Sequence, residues 1–220
     1  MTDLVLLADP QITEIGVEEV GEPLVDLREL GGFAFSHLKV NEGPAWSSVR
    51  RGVADRLLHA TELVPAGVRL MIVEGHREPA VQRRHFDAYC AELRTADPDL
   101  TDLQLRRLAS RYISPPEVAP HVAGAAIDLT LADVAGRPLD LGTAVNATPE
   151  ESEGACYFDA ANISSQAREH RATLADALGA AGLVNYPTEW WHWSFGDRYW
   201  AWSTRARCAL YGPVDADRPA

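Results

Sequence analysis

An acidic residue stands inside a run that otherwise reads as a buried strand. Residues 125–131 are AAIDLTL, with Ile127, Leu129 and Leu131 on one face and Asp128 and Thr130 on the other. A carboxylate is costly to bury unless it is hydrogen-bonded, paired or bound to a metal. The run therefore calls for a sheet with one apolar face and one face that carries polar chemistry. On this run alone two readings stay open: a metal ligand, and an aspartate that accepts backbone hydrogen bonds.

The rest of the chain supplies partners for that strand. Residues 67–74 (GVRLMIVE) predict a second buried strand, set off by Pro65, Gly67 and Gly75. Residues 190–195 predict a third. Helical spacing of Val49, Val53, Leu57 and Leu58 predicts a helix over 47–63, and that of Val81, Phe86, Tyr89 and Leu93 a helix over 79–95. A more polar helix is expected over 100–112, and another over 164–181 with Gly182 ending it. Residues 4–30 are short apolar pieces broken by Pro10, Gly16, Gly21 and Pro23, and read as strands and turns. Ser114-Pro115-Pro116 and the acid-rich stretch 143–159 read as loops, and Gly136-Arg137-Pro138 as a turn. This order predicts one α+β domain over residues 1–220, built on a small, mainly antiparallel sheet with helices packed around it. A chain of 220 residues can bury its core without disulfides.

Composition removes several functions. The net charge of -12 argues against a nucleic-acid partner, which needs a cationic face. Cys90, Cys156 and Cys208 form no CxxC pair, so reduced buried thiols are expected rather than a zinc-thiolate cluster. The opening MTDLVLLADP is not a secretory signal, and no apolar stretch is long enough to span a bilayer, so a cytoplasmic location is expected and no membrane partner. Nothing in the sequence indicates an oligomeric state. Ser36, Ser47 and Ser164 lack the surroundings of a catalytic serine, and no phosphate-cradling glycine loop is present. The tryptophans at 190, 191, 193, 200 and 202 read mainly as core packing and support for His192.

Two segments carry the chemistry. One is His121-Val-Ala-Gly-Ala-Ala-Ile-Asp128 and the other Glu189-Trp-Trp-His192. A hydrolytic zinc site takes three protein ligands of nitrogen or oxygen type and keeps a position open for water. His121, Asp128 and His192 supply that set for one zinc ion per chain. Glu189, three residues before a ligand and at the mouth of the predicted strand, is placed to act as the base. His76, beside Arg77, is a candidate for lining the pocket.

These segments resemble the D-alanyl-D-alanine dipeptidases, the family that includes the vancomycin-resistance dipeptidases. That family lies within a wider group of zinc D,D-peptidases that share a fold with the Hedgehog signalling domain. The shared elements are the His121, Gly124, Asp128 spacing ending in AIDLTL, the Glu189–His192 EWWH, and a strand running into the turn Val73-Glu74-Gly75-His76-Arg77-Glu78-Pro79. The similarity covers roughly residues 65 to 200. It implies that His121, Asp128 and His192 bind zinc, that Glu189 moves the proton from the attacking water to the leaving amine, and that Arg77 stabilises the oxyanion. The implied substrate is D-Ala-D-Ala or a close D-amino-acid dipeptide. Rival readings are a zinc D,D-carboxypeptidase or other peptidoglycan peptidase acting on longer substrates, and a zinc-binding module without catalysis.

The chain departs from the family pattern in three places. Glu78 is inserted between Arg77 and Pro79. Ala119-Pro120 precede His121, where a hydroxyl residue is usual. Leu141-Gly142-Thr143-Ala144-Val145-Asn146 stands where vancomycin-resistance members have Met-Gly-Ser/Thr-x-Phe-Asp, whose carboxylate holds the substrate amine. Asn146 is uncharged, so another acid, Glu150, Glu151 or Glu153, is expected to bind the amine instead; Asn146 and Glu151 are the candidate substrate contacts.

Overall fold

A computed structural model describes residues 4–40 and 43–215. Residues 1–3 and 216–220, the ends of the predicted domain and the start of the opening segment, lie outside the described residues. In chain order the elements are α1 (Pro10–Thr13), β1 (Leu24–Asp26), β2 (Ala34–Phe35), β3 (Ser48–Arg50), α2 (Arg51–Leu63), β4 (Val68–Glu74), α3 (Pro79–Ala96), α4 (Asp102–Ala109), β5 (Ala126–Asp133), α5 (Ser165–Ala180), β6 (Val184–Asn185), β7 (His192–Ser194) and α6 (Arg198–Thr204). Single 3-10 turns lie at Leu27–Glu29 and Pro120–Ala123.

The main sheet has the order β2-β4-β5-β7-β6. Its β2–β4 pair is parallel and the others are antiparallel. A second, two-stranded sheet pairs β1 with β3. The architecture is the α+β one expected, with a small and mainly antiparallel sheet.

Strand alternation gives the main sheet two different faces. Leu70, Ile72, Ile127, Leu129 and Leu131 are fully buried in one core with Val53 and Leu57 of α2 and Leu174 and Leu178 of α5. Burying each such side chain contributes roughly 1.5–3 kcal/mol against the entropy of ordering the chain. The opposite face presents Met71, Val73, Asp128 and Thr130 along β4 and β5, and the candidate site lies on it. On that side α3 packs on α4 through Tyr89, Leu93, Leu105 and Ala109. A reciprocal cap between Thr101 and Gln104 fixes the start of α4.

Several boundaries differ from expectation. Residues 48–50 are a strand, because Leu24, Val25 and Asp26 pair with Arg50, Val49 and Ser48, a distant contact that helical spacing does not register. The helix therefore starts at Arg51. Residues 4–30 include a short helix, α1, beside the turns. The helix expected over 100–112 is the shorter α4. Regular pairing of β7 begins at His192; Trp190 and Trp191 run beside the sheet, with Trp191 accepting from the Leu129 N–H at 3.1 Å. The inserted Glu78 stands at the N-cap position of α3, without a capping side-chain hydrogen bond, and sets Pro79 in the first turn, where a missing N–H costs nothing. Of the cysteines, Cys156 is buried, while Cys90 and Cys208 are half-buried; all three are free. Among the described residues, no helix is long and apolar enough to cross a membrane.

Candidate metal centre and active site

Asp128 is the third residue of β5 and lies directly opposite His192, the first residue of β7. The third member arrives differently. His121 lies in the 3-10 turn Pro120–Ala123, which closes at Gly124 with φ of 64°. The left-handed conformation favours glycine, and a Cβ there would also displace the tip of the Leu24 side chain, 2.4 Å away. The turn folds His121 back over the start of β5.

The three donor atoms converge. His121 Nε2 is 3.1 Å from His192 Nδ1, which is 3.1 Å from Asp128 Oδ1. His121 Nε2 is 3.3 Å from the same oxygen. A tetrahedral ion about 2.0–2.1 Å from each ligand needs donors spaced about 3.3 Å apart, so the triangle fits zinc. The hydrogen bonding agrees. The His121 Nδ1–H donates to the Gly75 carbonyl at 2.6 Å, which leaves the Nε2 lone pair facing inward. A cation between the three donors would meet that lone pair and the Asp128 carboxylate together. Among the described residues, these three are the group suited to holding a metal.

The electrostatics point the same way. Burial alone would raise the Asp128 carboxyl, but the two imidazoles, His121 foremost, overcome it and hold it well below the usual carboxylate range. Burial lowers His192 despite Asp128, favouring the neutral imidazole that a metal requires. Glu189 is pushed well above its ordinary value by burial and then by the nearby charge of Asp128; Arg77 and the Trp191 indole oppose the rise. Two buried carboxylates side by side form the charge deficit that a divalent cation offsets.

Glu189 precedes β7, which begins two residues later than the strand expected from Trp190. It lies in a turn, held by its N–H to the Tyr186 carbonyl at 3.0 Å and by its carbonyl accepting from the His192 N–H at 3.2 Å. Its carboxylate still reaches the site, with Oε2 4.0 Å from His192 Nδ1. Arg77 is buried rather than on the surface. Its Nε and Nη2 donate to the two oxygens of Glu74, each at 2.6 Å, and its Nη1 donates to Gln82 Oε1 at 2.8 Å. Burial would raise Glu74, but the Arg77 charge overcomes it and keeps the carboxylate ionised.

A cavity of about 410 Å³ joins these groups. The metal-ligand set, Glu189 and Arg77 line it, together with Asn146 and Glu151. Two other acids weighed for the amine are elsewhere: Glu150 accepts from the Tyr89 hydroxyl and pairs with Arg111, and Glu153 does not line the cavity. His76 does not line it either. Its ring turns toward the C-terminal segment, with Nε2 3.0 Å from the Val214 carbonyl.

The sequence reading missed three contributors. Glu74 and Gln82 clamp Arg77, and their i−3 and i+5 spacing was the available signal. Tyr112 also lines the cavity, and its hydroxyl donates to the Asn146 carbonyl at 2.9 Å. Burial raises that hydroxyl, and the charges of Glu189 and Asp128 raise it further. Asn146 itself has φ of 67°, a left-handed conformation that asparagine tolerates better than most residues.

A family model described as D-ala-D-ala dipeptidase (Peptidase M15) matches residues 49–207. A D-alanyl-D-alanine dipeptidase of Synechocystis sp. is 27% identical over 239 aligned positions, covering 91% of this chain and 95% of the relative. Among solved structures, the vancomycin-resistance D,D-pentapeptidase VanY in complex with Zn(II) is similar with a TM-score of 0.40 and 17% identity, over 74% of this chain and 80% of its own. The LD-carboxypeptidase LdcB is similar with a TM-score of 0.47 and 18% identity, over 86% of this chain and 75% of its own.

Proposed function

Because the chain belongs to the D-ala-D-ala dipeptidase family and is a metallopeptidase, we propose that it is a zinc-dependent dipeptidase acting on D-Ala-D-Ala or a closely related D-amino-acid dipeptide. The observation that carries this reading is the convergence of His121, Asp128 and His192 beside Glu189 and Arg77 in one cavity. His121, Asp128 and His192 would hold one zinc ion. Zinc, when bound, supplies the Lewis acidity that polarises a scissile carbonyl and acidifies water. Glu189 takes a proton from the attacking water and delivers it to the leaving amine. Its raised proton affinity suits the second half of that task. Arg77, fixed by Glu74 and Gln82, presents a rigid positive charge to the oxyanion, an arrangement worth a few kcal/mol of barrier. Glu151 and the carboxamide of Asn146 receive the free amine of the substrate.

Asn146 also favours a second reading. With no carboxylate at that position, a zinc D,D-carboxypeptidase acting on longer, amine-blocked peptides is the alternative. A panel of D,D-, L,D- and L,L-dipeptides, free and N-acetylated, separates the two. The dipeptidase reading expects turnover of free D,D-dipeptides and little of acetylated ones. Equal turnover of both forms would contradict it.

A further inference from the structure

His192, Asp128 and Glu74 form one row across the main sheet. Asp128 is the register partner of His192 on one side and of Glu74 on the other. The pairing of β4 with β5 shifts between Ile72 and Glu74, and this irregularity sets Glu74 opposite Asp128. Strand β2 runs parallel to β4, and just past it the Ser36 N–H donates to the Ile72 carbonyl at 2.8 Å, so the chain after β2 is carried toward Glu74. Lys39 then extends the row. Its Nζ is 3.8 Å from Glu74 Oε2, and its side chain is only 15% exposed. Lys39 lines the same cavity as the metal ligands, Glu189 and Arg77.

That cavity is polarised in charge. At the Glu74 end, Arg77 and Lys39 both pair with the one carboxylate. Gln82, which holds Arg77, lies near the start of α3. The acids Glu92 and Glu151 line the cavity further along that helix, where the neighbouring Glu150 accepts from Tyr89, one turn before Glu92.

We propose that Lys39 receives the terminal carboxylate of the substrate and confines cleavage to the last peptide bond of a chain with a free C-terminus. The inference rests on the peptidase reading above and holds for a dipeptide or a longer D,D-peptide alike. A peptide cut at its last bond carries its carboxylate one residue beyond the scissile carbonyl, and consecutive Cα atoms are about 3.8 Å apart. With Arg77 on the oxyanion, the next cation along the row is Lys39. The amine end of the substrate is drawn the other way, toward the acids. Ammonium and carboxylate make a charge-assisted hydrogen bond, stronger than one between neutral groups.

The test compares kcat/KM for D-Ala-D-Ala and for its C-terminal amide, with the N-acetylated pair alongside, on zinc-loaded wild type, Lys39→Met and Lys39→Arg. Zinc content is measured on each protein. The wild type should prefer the free acid to the amide by about 10- to 100-fold, the usual worth of a hydrogen bond to a charged group. Lys39→Met should lose that factor on the acid, mainly through KM, and bring the ratio close to one with its zinc retained. Lys39→Arg should keep most of the preference. If Lys39→Met does not fold, Lys39→Gln takes its place, and a wild-type ratio near one overturns the proposal without any variant. A preference that survives in Lys39→Met would also overturn it, assigning the carboxylate to another group such as Arg77. Loss of zinc from Lys39→Met would overturn it too, since Lys39 would then support the metal. In each of these cases hydrolysis by the wild type leaves the peptidase reading standing. No turnover of either free acid, acetylated or not, would remove that reading and the role of Lys39 with it.

Discussion

Asp128 and His192 are register partners across β5 and β7, and the histidine Nδ1 stands 3.1 Å from the aspartate Oδ1. Two of the three donors are thus fixed by sheet pairing. Asp128→Ala leaves two imidazoles with no anion between them. The wild type should carry one zinc per chain and lose activity to a chelator, with zinc restoring it. Asp128→Ala should lose the metal, and elemental analysis after gel filtration checks this. Full occupancy in the variant would mean that the ligands lie elsewhere.

The third donor depends on Gly75. Its carbonyl orients His121, and a Cβ at that position would lie 2.4 Å from the Ser48 carbonyl oxygen and 3.0 Å from Val49. Gly75→Ala should push β3 and β4 apart at a cost of about 1–3 kcal/mol. Zinc affinity should fall with it, because the displaced carbonyl no longer holds His121 at the angle the metal needs. Denaturant midpoints and a zinc competition titration measure the two effects.

Glu74 is the carboxylate paired with the buried Arg77, so removing its charge leaves that cation without its anionic partner. Glu74→Gln should cost about 3–5 kcal/mol at neutral pH. The pH dependence has a definite sign. The folded carboxyl lies below its ordinary value of 4.5, so its stabilisation is complete above that pH and is lost as pH falls through the depressed folded value. The stability gap between wild type and Glu74→Gln should therefore narrow below about pH 4.5. Urea melts of both proteins from pH 3 to 7 would show it; a gap that stays constant would contradict the pairing.

Tyr112 holds the segment that carries Asn146. Tyr112→Phe removes one hydroxyl and should cost about 1 kcal/mol of stability. Because the bond positions a residue assigned to substrate binding, KM should rise more than kcat falls. A loss confined to kcat would place Tyr112 in the chemistry instead.

The parts of the site readable from sequence were those that break a local rule. Asp128 stood out because strand alternation left an acid inside AAIDLTL, and Gly124 because a return to the strand needed a tight turn. Glu74 did not stand out: at the end of a strand an acid looks solvated, and its pairing with Arg77 depends on where the chain turns after Gly75. Strand β3 was hidden because Val49 fits the helical spacing of Val53 and Leu57, while its pairing with β1 is a distant contact. His76 was assigned to the pocket by its neighbour Arg77, yet successive residues after β4 point in different directions, and its ring meets Val214.

Glu189 provides the most direct test of the mechanism. Glu189→Gln keeps the size and one acceptor oxygen but removes the basic carboxylate. The zinc-saturated variant should keep its metal and lose about 100- to 10,000-fold in turnover, the usual worth of general-base help. His192→Ala, by contrast, should lose metal and activity together. If Glu189 only orients His192, the Gln variant should instead bind zinc about 10- to 100-fold more weakly and recover turnover when zinc is in excess. The measurement is therefore turnover of zinc-saturated Glu189→Gln on a free D,D-dipeptide. A collapse with zinc retained is the predicted result, and near-wild-type turnover would contradict the mechanism.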